Sequence, residues 1–153
     1  MNHEYILWVM VVAYALHIVE EHNLDWKGWV KRNARFDVSF ADFYVVNAAL
    51  IVGMIATAQI GWRLPQLSLA PAALMFINGF VFHLGASLVK RQYSPGALTS
   101  LFLFLPISAW AYCGAYLDGV LTTSVALWSI VLGALMMAFP LALWRLKIVL
   151  GQA

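Results

Sequence analysis

"YILWVMVVAYALHIVEEH", residues 5–22, sets up the fold and the chemistry together. From Tyr5 to Leu16 no side chain carries a charge. A run of this length and apolarity reads as a helix crossing a bilayer. Its last residues, His17-Ile-Val-Glu20-Glu21-His22, then bring two imidazoles and two adjacent carboxylates into the same run. A carboxylate in hydrocarbon costs roughly 2.5–3.5 kcal/mol on insertion scales. Something in the folded chain must offset that cost.

The rest of the chain agrees with a membrane setting. Of its 153 residues, 63% are hydrophobic and 10% charged, against roughly 25% charged in a soluble domain. The apolar residues fall into five blocks: Tyr5–His22, Phe40–Trp62, Leu67–Val89, Ala97–Leu117 and Val120–Trp144. Each is long enough to cross about 30 Å of hydrocarbon at 1.5 Å per residue. Lipid offers no partner to the backbone, so each block is expected to be helical. The expected fold is all-α: an integral membrane bundle of five transmembrane helices, one domain over residues 1–153. Pro71, Pro106 and Pro140 lie inside blocks and are expected to distort them. Between the first two helices runs NLDWKGWVKRNARFDVS, residues 23–39. Its tryptophans set among lysines and arginines predict an interfacial segment.

Other classes are excluded. The net charge of +2 is too small to suggest nucleic acid, and the single Cys113 forms no intrachain disulfide. The start, MNHEY, lacks the basic region of a secretory leader. Lys27, Lys31, Arg32, Arg35, Lys90, Arg91, Arg145 and Lys147 fall on one side of the five blocks, and only Arg63 on the other. The positive-inside rule then places the N-terminus outside and the C-terminus in the cytoplasm, a bacterial inner membrane being the expected location. Membrane lipids are the expected surroundings. A homodimer is compatible with the abundant Gly and Ala.

Helical spacing puts His17, Glu20 and Glu21 on one face, with Tyr14 and Met10 below them. His22 points about 140° away and is the weaker candidate. Depth adds more. His17 and Asn47 sit roughly 9–10 Å from the same membrane face on helices of opposite direction, and so does His83 on the third helix. Thr99 starts the fourth helix slightly nearer the water. Gly79, His83 and Ser87 follow at four-residue steps, a stripe that admits a close neighbour. Asn78 lies deeper and off that stripe.

Two imidazoles and one or two carboxylates suit a divalent transition metal, zinc or iron. The expected ligands are His17, Glu21 and His83, and the expected catalytic carboxylates are Glu20 and Glu21. Asn47, Asn78, Arg91, Tyr93 and Thr99 are the expected substrate contacts, with a lipid-like molecule entering from the bilayer and its head near Arg91 and Tyr93. The function that follows is a metal-dependent membrane enzyme, hydrolytic or oxidative, on an apolar substrate. Two others fit the same residues. One is a metal-free isomerase or cyclase of an isoprenoid- or sterol-like compound using Glu20 or Glu21 as proton donor. The other is a carrier for a metal ion or protons. The bland alternative is that both histidines are satisfied core residues and Asn47 an interhelical hydrogen bond.

With these residues in view, the chain resembles the HXXEE-domain family of small multi-spanning membrane proteins. The likeness rests on His17-Ile18-Val19-Glu20-Glu21, on Asn78 with His83, and on Arg91, Tyr93, Pro95, Gly96 and Thr99 after the third helix. It covers most of residues 14–106. It implies a polytopic membrane protein with a polar active site and supplies no reaction.

Overall fold

The computed structural model describes residues 2–35 and 37–149. Met1, Phe36 and residues 150–153 lie outside that description. So do the side chains of Arg145 and Lys147, which entered the charge count. The opening stretch folds as α1 (Tyr5–Asn23), and its burial follows the helical period. Ile6, Leu7, Met10, Ala13, Tyr14, His17, Glu20 and Glu21 face inward, while Trp8, Val12, Leu16 and Val19 face out. An outward face this apolar suits lipid rather than water.

A short helix, α2 (Trp26–Ala34), occupies the expected interfacial segment. Asp25 caps it by accepting from the Gly28 amide at 3.0 Å, and Trp29 and Val30 are its buried residues. Then come α3 (Phe40–Ile60), continued by a 3-10 turn over Gly61–Arg63, α4 (Pro65–Lys90), α5 (Ala97–Leu117) and α6 (Thr123–Val149). With α1, these make five helices long and apolar enough to cross a membrane. No strand occurs among the described residues. The last helix starts at Thr123 rather than Val120, because Val120 and Leu121 both bond back to the Ala115 carbonyl and the Thr122 hydroxyl then caps Val125.

The proline expectations divide. Helix α4 breaks at Leu69, two residues before Pro71, whose ring removes a backbone donor and crowds the preceding turn. In α5 a π-helical stretch, Ser100–Phe104, runs up to Leu105 and Pro106. Pro140 sits inside an unbroken α6. A second π-helical stretch, Asn78–Gly85, lies in α4. The two π segments pack against each other.

Helix α1 runs between α3 and α5, and α4 packs on α5 and α6. The core joins Ile6, Met10 and Tyr14 of α1 to Met54 of α3, Leu69, Ala72, Leu74 and Met75 of α4 and Phe104, Ile107, Ala111 and Ala115 of α5. Gly133 lets α6 close on α4. A Cβ there would stand 2.6 Å from the Ala73 Cβ and 2.7 Å from the Ala70 oxygen.

One end of the bundle is clasped by the residues before α1. The His3 amide and ring donate to the two oxygens of Asp118 at 2.7 and 2.6 Å, and the Trp62 indole donates to the same carboxylate at 2.8 Å. Glu4 accepts from the Trp62 amide at 2.6 Å. The start of the chain, the α3–α4 junction and the α5–α6 loop are thereby joined. The His3 bond and the other donors hold the Asp118 carboxyl down at about 2, below its ordinary 3.8. A carboxyl lowered by folding stabilises above its unfolded value, and that contribution is lost as pH falls through the folded value. Solubilised protein should therefore lose thermal stability through this group between about pH 4 and about pH 2. The variant Asp118→Asn should flatten that part of the profile of melting temperature against pH, and an unchanged slope would count against the clasp.

Candidate metal centre

At the other end of the bundle, three elements bring the polar residues together. The last two turns of α1 carry His17, Glu20 and Glu21. The π segment of α4 buries Gly79 and His83 and turns Phe80, Val81 and Phe82 outward. The turn at 91–96 and the first residues of α5 supply Tyr93, Ser94, Gly96 and Thr99. Gly79 permits the approach that the sequence stripe suggests, since a Cβ there would lie 3.1 Å from the Ser100 Cβ.

Glu21 stands between the two imidazoles. Its Oε1 is 3.6 Å from His17 Nε2 and 3.5 Å from His83 Nε2. One ligand atom from each of these residues falls within 4.8 Å of the others, and all three side chains are buried. The rings meet edge to face at 4.8 Å. Phe104 covers His17 at 4.2 Å and stacks in turn on Tyr14. Two ligand atoms about 2.0–2.1 Å from one tetrahedral ion stand roughly 3.3 Å apart, close to the two spacings from Glu21 Oε1.

The hydrogen bonds assign the proton on His17. Both oxygens of Glu20 can only accept, and Oε2 takes the Thr99 hydroxyl at 2.5 Å. That hydroxyl has one proton, so it must accept at its other contact, His17 Nδ1 at 2.7 Å. His17 is therefore protonated on Nδ1 and carries a lone pair on Nε2. His83 Nδ1 lies 3.3 Å from the Ser94 hydroxyl, which can donate or accept there. Its Nε2 faces Glu21 Oε1. Two imidazole nitrogens and a carboxylate oxygen thus converge, and the lone pair on His17 Nε2 has no hydrogen-bond partner among the described residues.

Glu20 does a different job from Glu21. Its Oε1 accepts from the Tyr93 hydroxyl, the Gly96 amide at 3.0 Å and the Leu98 amide at 3.1 Å. Its Oε2 accepts from the Thr99 amide at 2.7 Å as well as from the Thr99 hydroxyl. A carboxylate at the N-terminus of α5 satisfies free amides and complements the positive end of the helix dipole. Partial burial and the Glu20 carboxylate push the Tyr93 phenol up to about 12, so it stays protonated and donates.

The remaining sequence candidates are spread out. Asn47 is at the expected depth but accepts from the Tyr14 hydroxyl at 2.8 Å and donates to its own helix at Phe43. It is an interhelical bond. Asn78 Oδ1 is buried without a hydrogen-bond partner among the described residues. Arg91 is exposed with φ +50°, and no ion pair joins it to either glutamate among the described residues. His22 turns away to Tyr44, 3.0 Å from its hydroxyl. Sequence reasoning missed Ser94 as a partner of His83, and it missed why Gly96 is a glycine. At φ +97° this residue places its backbone between the rings, and a Cβ would stand 2.6 Å from His83 Cε1 and 2.7 Å from His17 Cε1. The Pro-Gly turn was legible, but the rings beside it were not.

Replacing Gly96 with alanine combines a disfavoured φ with a clash against two buried rings. We expect Gly96→Ala to cost about 2 kcal/mol or more of stability, read as a lower melting temperature in detergent. A melting temperature equal to that of the wild type would mean that the turn does not pack between the histidines.

No curated protein and no solved structure matches the chain. The profile of a family described as "Protein of unknown function with HXXEE motif" matches residues 8–111, a stretch that holds His17, Glu20, Glu21, His83 and the turn leading into Thr99. The chain belongs to the HXXEE family, and the residues that name the family are the ones gathered at this centre.

Proposed function

We propose that the protein is a metal-dependent membrane enzyme, hydrolytic or oxidative, acting on an apolar or lipid-like molecule. In this reading a divalent transition metal, zinc or iron, is held by Nε2 of His17, Oε1 of Glu21 and Nε2 of His83. One observation carries the reading: the lone pair of His17 Nε2 faces the Glu21 carboxylate and a second imidazole in a buried space, with no hydrogen-bond partner among the described residues. Left empty, the contact between that lone pair and the carboxylate is repulsive. A cation makes it attractive and offsets the burial of Glu21. Three protein ligands leave a coordination position free, where the ion supplies Lewis acidity to a bound molecule.

The surrounding residues have definite tasks in this scheme. Thr99 holds His17 in the tautomer that presents Nε2, and Glu20 holds Thr99. Ser94 bonds Nδ1 of His83 and orients that ring. Proton transfer falls to Glu21 Oε2 rather than to Glu20, because both oxygens of Glu20 already accept hydrogen bonds. The charge asymmetry supports a site opening toward the cytoplasm, with the N-terminus outside. Of nine lysines and arginines, only Arg63 belongs to the opposite end.

Element analysis of purified protein should find about one transition metal per chain, lost in His17→Ala and in His83→Ala while the helical circular dichroism is kept. Metal-free protein whose activity disappears in Glu21→Gln while the helical circular dichroism is kept would instead favour the acid–base isomerase or cyclase. The relay to His17 gives a separate test. Thr99→Val should weaken metal affinity roughly 10–100-fold in a chelator competition, and unchanged affinity would remove Thr99 from the ligand support.

A further inference from the structure

In the sequence, Ser87 counts only as the small residue that ends the stripe begun by Gly79 and His83. The structure gives the two small residues different neighbours. Gly79 faces Ser100 of α5. Ser87 faces the turn that leads out of α4. The chain reverses at Arg91, which takes the left-handed conformation at φ +50°, and returns beside the last turn of the helix. There the Gln92 amide donates to the Ser87 carbonyl at 3.2 Å, and the Ser94 amide donates to the Ser87 hydroxyl oxygen at 3.0 Å. One half-buried serine thus receives two amides of the turn.

The proton of that hydroxyl is accounted for. Ser87 Oγ donates to the His83 carbonyl, one turn back, at 2.7 Å. A hydroxyl has one proton and two lone pairs, so with its proton on His83 it presents an acceptor to Ser94. The need on the other side is equally plain. Ser94 is fully buried, and a buried amide without an acceptor is costly. With the amide seated, the Ser94 hydroxyl stands 3.3 Å from Nδ1 of His83, and the Pro95 carbonyl is its other neighbour at 3.5 Å.

The bonds form a closed path. It runs from the His83 carbonyl through Ser87 and Ser94 to Nδ1 of the same histidine. A serine bonded to the carbonyl four residues back is ordinary in a helix and by itself only bends it slightly. The Ser94 amide on the same oxygen is what ties this one to the centre. An imidazole is free to turn about its side-chain bonds and aim Nε2 elsewhere. Here the turn that touches Nδ1 is fastened to the backbone of the same residue, so ring and helix keep one relation. Alanine or glycine at position 87 would suit the small stripe equally well, and neither makes the two side-chain bonds.

We propose that Ser87 is the positioning residue of His83: its hydroxyl seats Ser94 against Nδ1 and so aims Nε2 at Glu21, 3.5 Å away. Ser87 is not itself a ligand and acts only through Ser94. The inference rests on the metal reading for its effect on affinity. Its effect on the ring needs no metal.

The test uses the full chain in detergent, with isotopically labelled histidine, stripped of metal by a chelator. Its imidazole nitrogen NMR signals are assigned with His17→Ala and His83→Ala. Ser87→Ala should shift or broaden the Nδ1 signal of His83 and leave the His17 signals in place. Ser87→Thr keeps a hydroxyl able to bond the carbonyl four residues back and should restore the wild-type His83 signal. After reloading with zinc, Ser87→Ala should bind roughly tenfold more weakly in chelator competition. Ser94→Ala should weaken binding to a similar degree. The double variant should lose no more than either single one, because the second substitution acts on a contact that the first has already removed. Unchanged His83 signals in Ser87→Ala overturn the proposal. Equal changes at His17 and His83 also overturn it, since they mark a general loosening of the bundle, and so do losses that add in the double variant. A wild-type protein that takes up no zinc sinks the metal centre, and the metal-free His83 signals then decide the role of Ser87 by themselves.

Discussion

The carboxylate of Glu20, gathered around the first residues of α5, is the contact on which the site end of the bundle depends. A helix beginning inside or at the edge of an apolar medium has amides with no water to meet. Here the Gly96, Leu98 and Thr99 amides find one side chain from another helix. The cost of burying that charge is offset by donors and by the helix dipole, without a basic partner. Because the contact fixes α5 against α1, it also fixes the two residues that shape the histidines: Gly96 between the rings and Thr99 on Nδ1 of His17.

The two glutamates of the motif therefore divide the work. Glu20 is saturated by donors and holds the scaffold. Glu21, one residue on, meets the lone pair of His17 Nε2 and the His83 ring. A neutral, satisfied polar core would have paired every acceptor with a donor. Among the described residues His17 Nε2 departs from that rule, and so do Trp29 Nε1, Asn78 Oδ1 and the Ser100 and Ser108 hydroxyls.

The geometry around them is irregular in a consistent way. Both helices that face α1 at the centre carry π-helical turns, Asn78–Gly85 and Ser100–Phe104, packed against each other. A wider turn changes which residues share the inner face. It buries Gly79 and His83 while phenylalanines on either side face outward. At the opposite end, by contrast, the His3–Asp118–Trp62 clasp meets both oxygens of its carboxylate with ordinary short hydrogen bonds and joins three segments.

Much of this was written in the chain itself. Five helices, their approximate ends, the buried stripe of α1 and the shared depth of His17 and His83 follow from apolar block length and helical period, both local properties. The family motif marks the same residues. What local pattern could not decide was direction and pairing. Asn47 sits at the right depth, yet its amide turns to Tyr14. Glu20 and Glu21 look equivalent in a row, yet one caps α5 and the other faces the rings. The π turns and the position of the proton on His17 depend on which helix lies beside which. Those relations join residues as far apart as 17 and 99, and only packing in three dimensions brings them within reach of a hydrogen bond.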